Sequence, residues 1–206
     1  MNEETLSSGF FGEDITLDIY TDLKEFYTPA NGFSRLHLCR RYGKLHILKS
    51  LQPFYSSQEF YKQLLLKEFN IGYQLDHPNI RHTLGWEKND LLGNYIVLEY
   101  IDGILLTTFI EQGKLTQALA YKFITEICNA LQYIHSKQLI HKDLKPNNIL
   151  ITHNGNNVKL IDFGLADCDD YEILKIPAGT EKYLAPEQLN PNATLDCRTD
   201  IYSLGI

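Results

Sequence analysis

The sequence predicts an α+β fold in two lobes, a small β-rich unit carrying one helix and then a larger, mostly helical unit, with a crevice between them. Three observations carry that prediction. Apolar residues alternate at Leu36, Leu38, Leu45 and Ile47, the period of strands. From about Ser57 the spacing becomes helical, and a longer helical stripe starts after Thr116. Between those helices and after the second, short β-rich runs end in turn residues. With 206 residues, 44% of them hydrophobic, and 10 Phe and 13 Tyr, the chain can bury a core of this kind.

The elements follow in order. Residues 1–25 read as a polar extension, 26–101 as the first lobe and 102–206 as the second. The strands around Leu36 and Ile47 are joined through Arg40-Arg41-Tyr42-Gly43-Lys44, a glycine-containing turn. Between Ser57 and Leu75, Phe60, Leu64, Ile71 and Leu75 fall on one side of a helix, and His77-Pro78-Asn79 stops it. Tyr95–Tyr100 is a β-rich run closed by Asp102-Gly103. Thr116 is a plausible N-cap for a helix whose apolar stripe is Ala120, Phe123, Ile124, Ile127, Leu131 and Ile134. Ile149–Thr152 and Val158–Ile161 then flank an Asn154-Gly155 turn, the mark of a tight hairpin.

Composition excludes several function classes. The 26 acidic against 19 basic side chains leave a net charge of -7, which provides no basic footprint for nucleic acid or an anionic membrane surface. No apolar run approaches the roughly 20 residues of a membrane helix. Cys39, Cys128, Cys168 and Cys197 form no C-x-x-C pair, which removes zinc-ribbon and thioredoxin readings and fits reduced intracellular thiols. The acidic start MNEETLSSGFFGED has no secretory pattern, so a cytoplasmic location is expected.

The chemistry is concentrated in His141–Leu150, HKDLKPNNIL, and in Asp162-Phe163-Gly164 beyond the hairpin. Asp143 can accept a hydroxyl proton and Lys145 can neutralise a phosphoryl group. Asn148 and Asp162 offer hard oxygens to magnesium. A hairpin this short returns Asn148 and Asp162 to one sheet edge.

At these residues the chain resembles the eukaryotic-type protein kinases of the serine/threonine branch, and the resemblance runs from about Phe26 to Ile206. It implies a protein-kinase-like two-lobed fold and ATP- and Mg2+-dependent transfer of phosphate to Ser or Thr hydroxyls of protein substrates. HKDLKPNNIL looks like the catalytic loop, with Asp143 as base. Asp162 with Asn148 is similar to the magnesium-holding pair. His46-Ile47-Leu48-Lys49 stands where the family has its phosphate-anchoring lysine, and Glu68 matches that lysine's helix partner. Gly179–Glu187 looks like the substrate-binding end of the activation segment, and Asp200–Gly205 like the start of the buried helix under the catalytic loop. The resemblance also implies that Leu36, Ile47 and Leu150 sandwich adenine, that Leu98 guards the back of its pocket, and that the backbone of Glu99 and Ile101 bonds it. Lys145 in DLKP and the GTxxYxAPE pattern resemble the serine/threonine branch.

Some positions depart from the family pattern. Pro29-Ala30-Asn31-Gly32-Phe33-Ser34 stands where three glycines are usual, so ATP is expected to lie against Asn31, Gly32, Phe33 and Ser34 with Phe33 at the loop tip. The arginine before the catalytic Asp is Lys142. The activation segment has acids, Asp167, Asp169, Asp170 and Glu172, rather than serines, and one of them is expected to pair with Lys142 in place of a phosphate. Thr180 matches a position that contacts the catalytic loop, and Tyr171 is a weaker candidate switch. Gly72 and Thr83 replace large apolar residues behind the Glu68 helix, which would then dock loosely or lean on a neighbour such as Tyr73.

Two other functions compete with an active protein kinase. One is a pseudokinase or regulatory module that binds nucleotide without efficient transfer, supported by the degenerate loop and Gly72. The other is a small-molecule phosphotransferase, which would not be expected to carry DFG together with APE. The resemblance further implies helices beyond Ile206, including an arginine that pairs with the glutamate matching Glu187. An unpaired buried carboxylate costs about 3–5 kcal/mol, so residues 1–206 alone are expected to be unstable or inactive.

Overall fold

The computed structural model describes residues 20–29, 32–164, 166, 181–190 and 192–206. The first lobe is an antiparallel five-stranded sheet in the order β1-β2-β3-β5-β4, built from β1 (Tyr20–Tyr27), β2 (Ser34–Arg41), β3 (Lys44–Leu51), β4 (Thr83–Asn89) and β5 (Gly93–Glu99). The β2–β3 turn puts Tyr42 at φ 49 and Gly43 at φ 78, the left-handed pair that a two-residue hairpin requires. Pairing Leu36 with Lys49, Leu38 with Ile47 and Ile47 with Leu98 sets these side chains on one face.

Helix α1 (Glu59–Tyr73) covers that face, packing Leu65 with Ile47, Leu51, Ile96 and Leu98. Cys39, Leu48, Tyr95 and Val97 form a separate cluster on the opposite face, where Tyr20 packs. Because β3 lies between two strands and under both clusters, every residue from Ile47 to Leu51 is buried, Lys49 among them.

The second lobe contains β6 (Gly103–Leu105), α2 (Leu106–Glu111), α3 (Gln117–Ser136), β7 (Ile149–Thr152), β8 (Val158–Leu160) and α4 (Arg198–Leu204). Strands β6, β7 and β8 pair antiparallel. Helix α3 opens with Thr116, whose hydroxyl accepts from Leu119 N at 3.3 Å, and buries Phe123, Ile127, Leu131 and Ile134 against β7 and β8. The same cluster takes in Ile71 of α1 and Leu75 just past its end. Residues 79–81 stitch the lobes together. Leu160 N donates to Asn79 O at 2.7 Å, Arg81 N donates to Leu160 O at 2.9 Å, and Asn79 Nδ2 donates to Val158 O at 3.0 Å.

The structure departs from the sequence expectations at several points. The sheet begins at Tyr20, inside the stretch read as a polar extension, and β4 adds a strand the periodicity did not mark. Phe60 and Ile124, placed on buried stripes, are exposed at 41% and 50%, while Leu65 and Ala130 are buried. Among the described residues, no helix is long and apolar enough to cross a membrane.

Candidate active site

Three elements converge on Lys49. Its Nζ donates to Glu68 Oε1 on α1 at 2.6 Å and to Asp162 Oδ1, just past β8, at 3.1 Å. Burial by itself would lower the Lys49 ammonium, but the Asp162 and Glu68 carboxylates outweigh it and hold the ammonium above its ordinary value. For Asp162 burial pulls upward, yet Lys49, the Gly164 N–H and Arg81 hold the carboxyl well below the usual range. Glu68 is the member on which burial wins, so its carboxyl is raised; its Oε2 has no partner among the described residues.

Asp162 sits at φ 68, a left-handed conformation uncommon outside glycine, which aims its carboxylate back at Lys49. Its bonds among the described residues fall on Oδ1, which also accepts from Gly164 N at 3.1 Å.

Residues of the His141–Leu150 loop form a second knot. Asn148 Nδ2 donates to Asp143 O and to Asp143 Oδ2, both at 2.8 Å, and Lys145 Nζ lies 2.7 Å from Asp143 Oδ2. With its amide nitrogen committed inward, Asn148 is left with its carbonyl oxygen to offer. Ile161 N donates to Asn148 O at 2.9 Å, so the hairpin brings Asp162 beside Asn148 as its length suggested.

Beneath the loop, the fully buried carboxylate of Asp200 accepts from His141 N and Lys142 N, both at 2.9 Å, and lies 2.7 Å from His135 Nε2. His141 is also fully buried; its ring packs at a tilt on Phe163 at 5.1 Å, and its Nδ1 accepts from Asp143 N at 3.4 Å, a structural role.

The remaining predicted residues are placed as follows. Leu36, Ile47 and Leu98 line one face of the first sheet, with Ile47 and Leu98 buried, and Leu150 stands opposite Leu105 in the second. Glu99 N donates to His82 O at 3.0 Å, so any bond from the Glu99 backbone to adenine falls to its carbonyl. Ile101, just past β5, is half-buried.

In the glycine-poor loop, Gln52 Nε2 donates to Pro29 O at 3.0 Å and Gly32 O at 2.7 Å, clipping the turn to the end of β3. A Cβ at position 32 would lie 2.4 Å from Pro29 Cγ, so a side chain there would press on the proline ring. Ser34 opens β2. Phe33, expected at the loop tip, packs inward on Tyr61 of α1 at 5.4 Å, where the aromatic cluster around Tyr61 offers it burial. Asn31 lies outside the described residues, as do Asp167, Asp169, Asp170, Tyr171, Glu172 and Thr180, with the expected pairing to Lys142.

Gly72 and Thr83 form a matched pair. A Cβ on Gly72 would lie 2.3 Å from Thr83 Oγ1, so the glycine admits β4 to close contact with α1. Tyr73, the expected substitute, is instead exposed and stacks on Phe69, which packs on Trp86. Glu187 is half-buried, not an unpaired buried carboxylate, and accepts from Thr199 Oγ1 at 2.9 Å.

Sequence reasoning missed Arg81. Tied to Leu160 by its backbone, it carries a guanidinium that burial lowers and that Asp162, Glu68 and Glu99 attract. The two carboxylates around Lys49 therefore have a second cation nearby. No spacing rule marks such a residue, because its neighbours in space come from three distant elements.

Beside Lys145 opens a cavity of about 390 Å³ lined by Thr107, Ile110, Glu111, Asn147, Lys182 and Tyr183.

The family model described as protein kinase domain matches residues 32–206. The chain is similar to a probable serine/threonine-protein kinase of Clostridium perfringens, 35% identical over 82% of this chain and 25% of the relative. It is similar to the serine/threonine-protein kinase ppk25 of Schizosaccharomyces pombe, 33% identical over 80% of this chain and 39% of the relative. To the serine/threonine-protein kinase PrkC of Bacillus subtilis it is 34% identical over 77% of this chain, and it covers 25% of that protein. The chain thus spans well under half the length of each of these three.

Proposed function

The chain belongs to the protein kinase domain family, and from that premise we propose that it transfers the γ-phosphate of ATP, with Mg2+, to Ser or Thr hydroxyls of protein substrates. The observation that carries the reading is Lys49 bridging Glu68 and Asp162, which docks α1 against the sheet and sets a cation and a carboxylate at the back of the cleft.

The donor set suits magnesium. Asp162 Oδ2 and the outward oxygen of Asn148 are hard ligands at neighbouring positions, and Mg2+ takes only one or two protein oxygens when phosphates and water complete its shell. Asp162 and Asn148 would hold magnesium, which would supply positive charge to offset that of the phosphates. Lys49 would anchor the α and β phosphates. Asp143, held by Asn148 and Lys145, would orient the substrate hydroxyl and take its proton, and Lys145 would offset charge on the γ phosphate. The cavity beside Lys145 is large enough to take a side chain of the protein substrate, which supports this reading.

The test is transfer of radiolabel from ATP to a basic protein substrate by the complete protein and its Asp143→Asn variant. Loss of a positioned base should lower the rate by about 100-fold or more. Equal rates would overturn the mechanism. ATP binding without transfer in the unaltered protein would favour a nucleotide-binding module instead.

A further inference from the structure

Gln188, directly after Ala185-Pro186-Glu187, is buried and uses both ends of its side chain. Its Oε1 accepts from Ala185 N at 3.0 Å, and its Nε2 donates to Lys142 O at 3.0 Å. Lys142 sits at φ 66, a conformation unfavourable for a non-glycine residue that persists only where its surroundings hold it. Its N–H is held by Asp200 Oδ1 at 2.9 Å, and its carbonyl by Gln188. The next residue is Asp143, so the direction of the Asp143 carboxylate follows from how that peptide is held.

The other anchors of residues 181–188 lead elsewhere. Ser203 Oγ donates to Tyr183 O at 2.8 Å and Thr199 Oγ1 to Glu187 Oε1 at 2.9 Å, both from α4. Among the described residues, Gln188 is the member of this segment whose side chain reaches the catalytic loop.

We propose that Gln188 is a positioning residue for phosphoryl transfer: its amide ties the segment carrying Lys182 and Tyr183 to the Lys142 peptide, and this bond supports the aim that Asn148 and Lys145 give the Asp143 carboxylate. This rests on the kinase reading. The two bonds of its side chain go to Ala185 N and Lys142 O, so ATP binding should not depend on it.

The experiment compares the complete protein with Gln188→Met, which keeps shape but loses both bonds, and with Ser203→Ala, which removes another anchor of the same segment and leaves the Gln188 bond to Lys142 in place. Two readouts are taken: kcat per titrated nucleotide site with KM for ATP, and hydrogen exchange of the amides in residues 139–146. For Gln188→Met, kcat falls by about 10- to 100-fold, as small misplacements of a catalytic group do. KM for ATP stays within about twofold, and exchange rises at Lys142 and Asp143. Ser203→Ala keeps kcat within about twofold.

An unchanged kcat, a fall without faster exchange, or an equal fall in Ser203→Ala overturns the proposal. If the unaltered protein transfers no phosphate, the kinase reading fails, and the exchange at Lys142 and Asp143 alone decides this one. If Gln188→Met does not bind nucleotide, Gln188→Asn, too short to span both partners, carries the same expectation. Failure of both to bind nucleotide assigns Gln188 to folding only and overturns the proposal.

Discussion

Asp200 shows how much one side chain can organise. Its buried carboxylate satisfies two consecutive backbone N–H groups of the catalytic loop and meets His135. Asp200→Ala would leave those donors buried without partners, at about 1–3 kcal/mol each. We expect urea unfolding to show a loss of about 3–5 kcal/mol, with Asp200→Asn, which retains one acceptor oxygen, losing less. A loss under about 1 kcal/mol for Asp200→Ala would mean the loop is held by other contacts. At this scale Asp143, Asn148 and Lys145 were legible because residues so close in sequence meet through local turns. Arg81 and Gln188 were not, since each acts on a partner from a distant element.

At the scale of elements, the α1–β4 contact depends on Gly72 facing Thr83. Gly72→Ala gains about 0.5–1 kcal/mol of helix propensity, but its methyl would collide with Thr83 Oγ1. Overpacking of this kind costs about 1–3 kcal/mol, so a net loss of stability is expected. Adding Thr83→Ala removes the collision, and the double variant should be more stable than Gly72→Ala alone. Thermal unfolding of the four proteins in the cycle measures this; strict additivity would show that the two residues do not press on each other.

Elements with strong periods were legible: α3 with its Thr116 cap, the β2–β3 turn and the Asn154-Gly155 hairpin. Edge strands were not. In β1 the alternation is broken by register shifts and by Asp22 at φ 55, and β4 shifts register between Thr83 and Gly85. Both strands lie at sheet edges, where one side lacks a neighbour and the burial pattern is weak. Phe60 and Ile124 lie at the margins of their stripes, and the packing partner decides which margin is covered.

Across the whole molecule, the opposite faces of the first sheet do different work. The face under α1 carries Lys49, while the other buries Cys39 and Tyr95. Burial pushes the Cys39 thiol from 9.0 up to about 11 and, with Glu87 beside it, the Tyr95 phenol from 10.0 up to about 12. The folded state therefore holds these protons more tightly than the unfolded chain. Their contribution to stability is fully present below about pH 9 and is lost as pH rises towards about 12, by at most about 1.4 kcal/mol per pH unit for each group. Urea midpoints at about pH 8 and about pH 11 should show the decline, and Cys39 should alkylate far more slowly than the exposed Cys128 and Cys197 at about pH 8. Flat stability across that window would refute it.

The sequence by itself determined the motifs of this protein: the Asp143 loop, Asp162-Phe163-Gly164, the strand lysine and the helix glutamate. Motif spacing and local turns are short-range properties of a backbone with few soft dihedrals. Only the tertiary structure decided that Lys49 reaches Glu68 and Asp162 together, the latter across 113 residues of chain, and that Thr83 is the neighbour admitted by Gly72. It likewise decided that Gln188 closes on Lys142 and that Arg81 stands near both carboxylates. These meetings depend on how two sheets and their helices pack, and packing is a property of whole elements that no local spacing encodes.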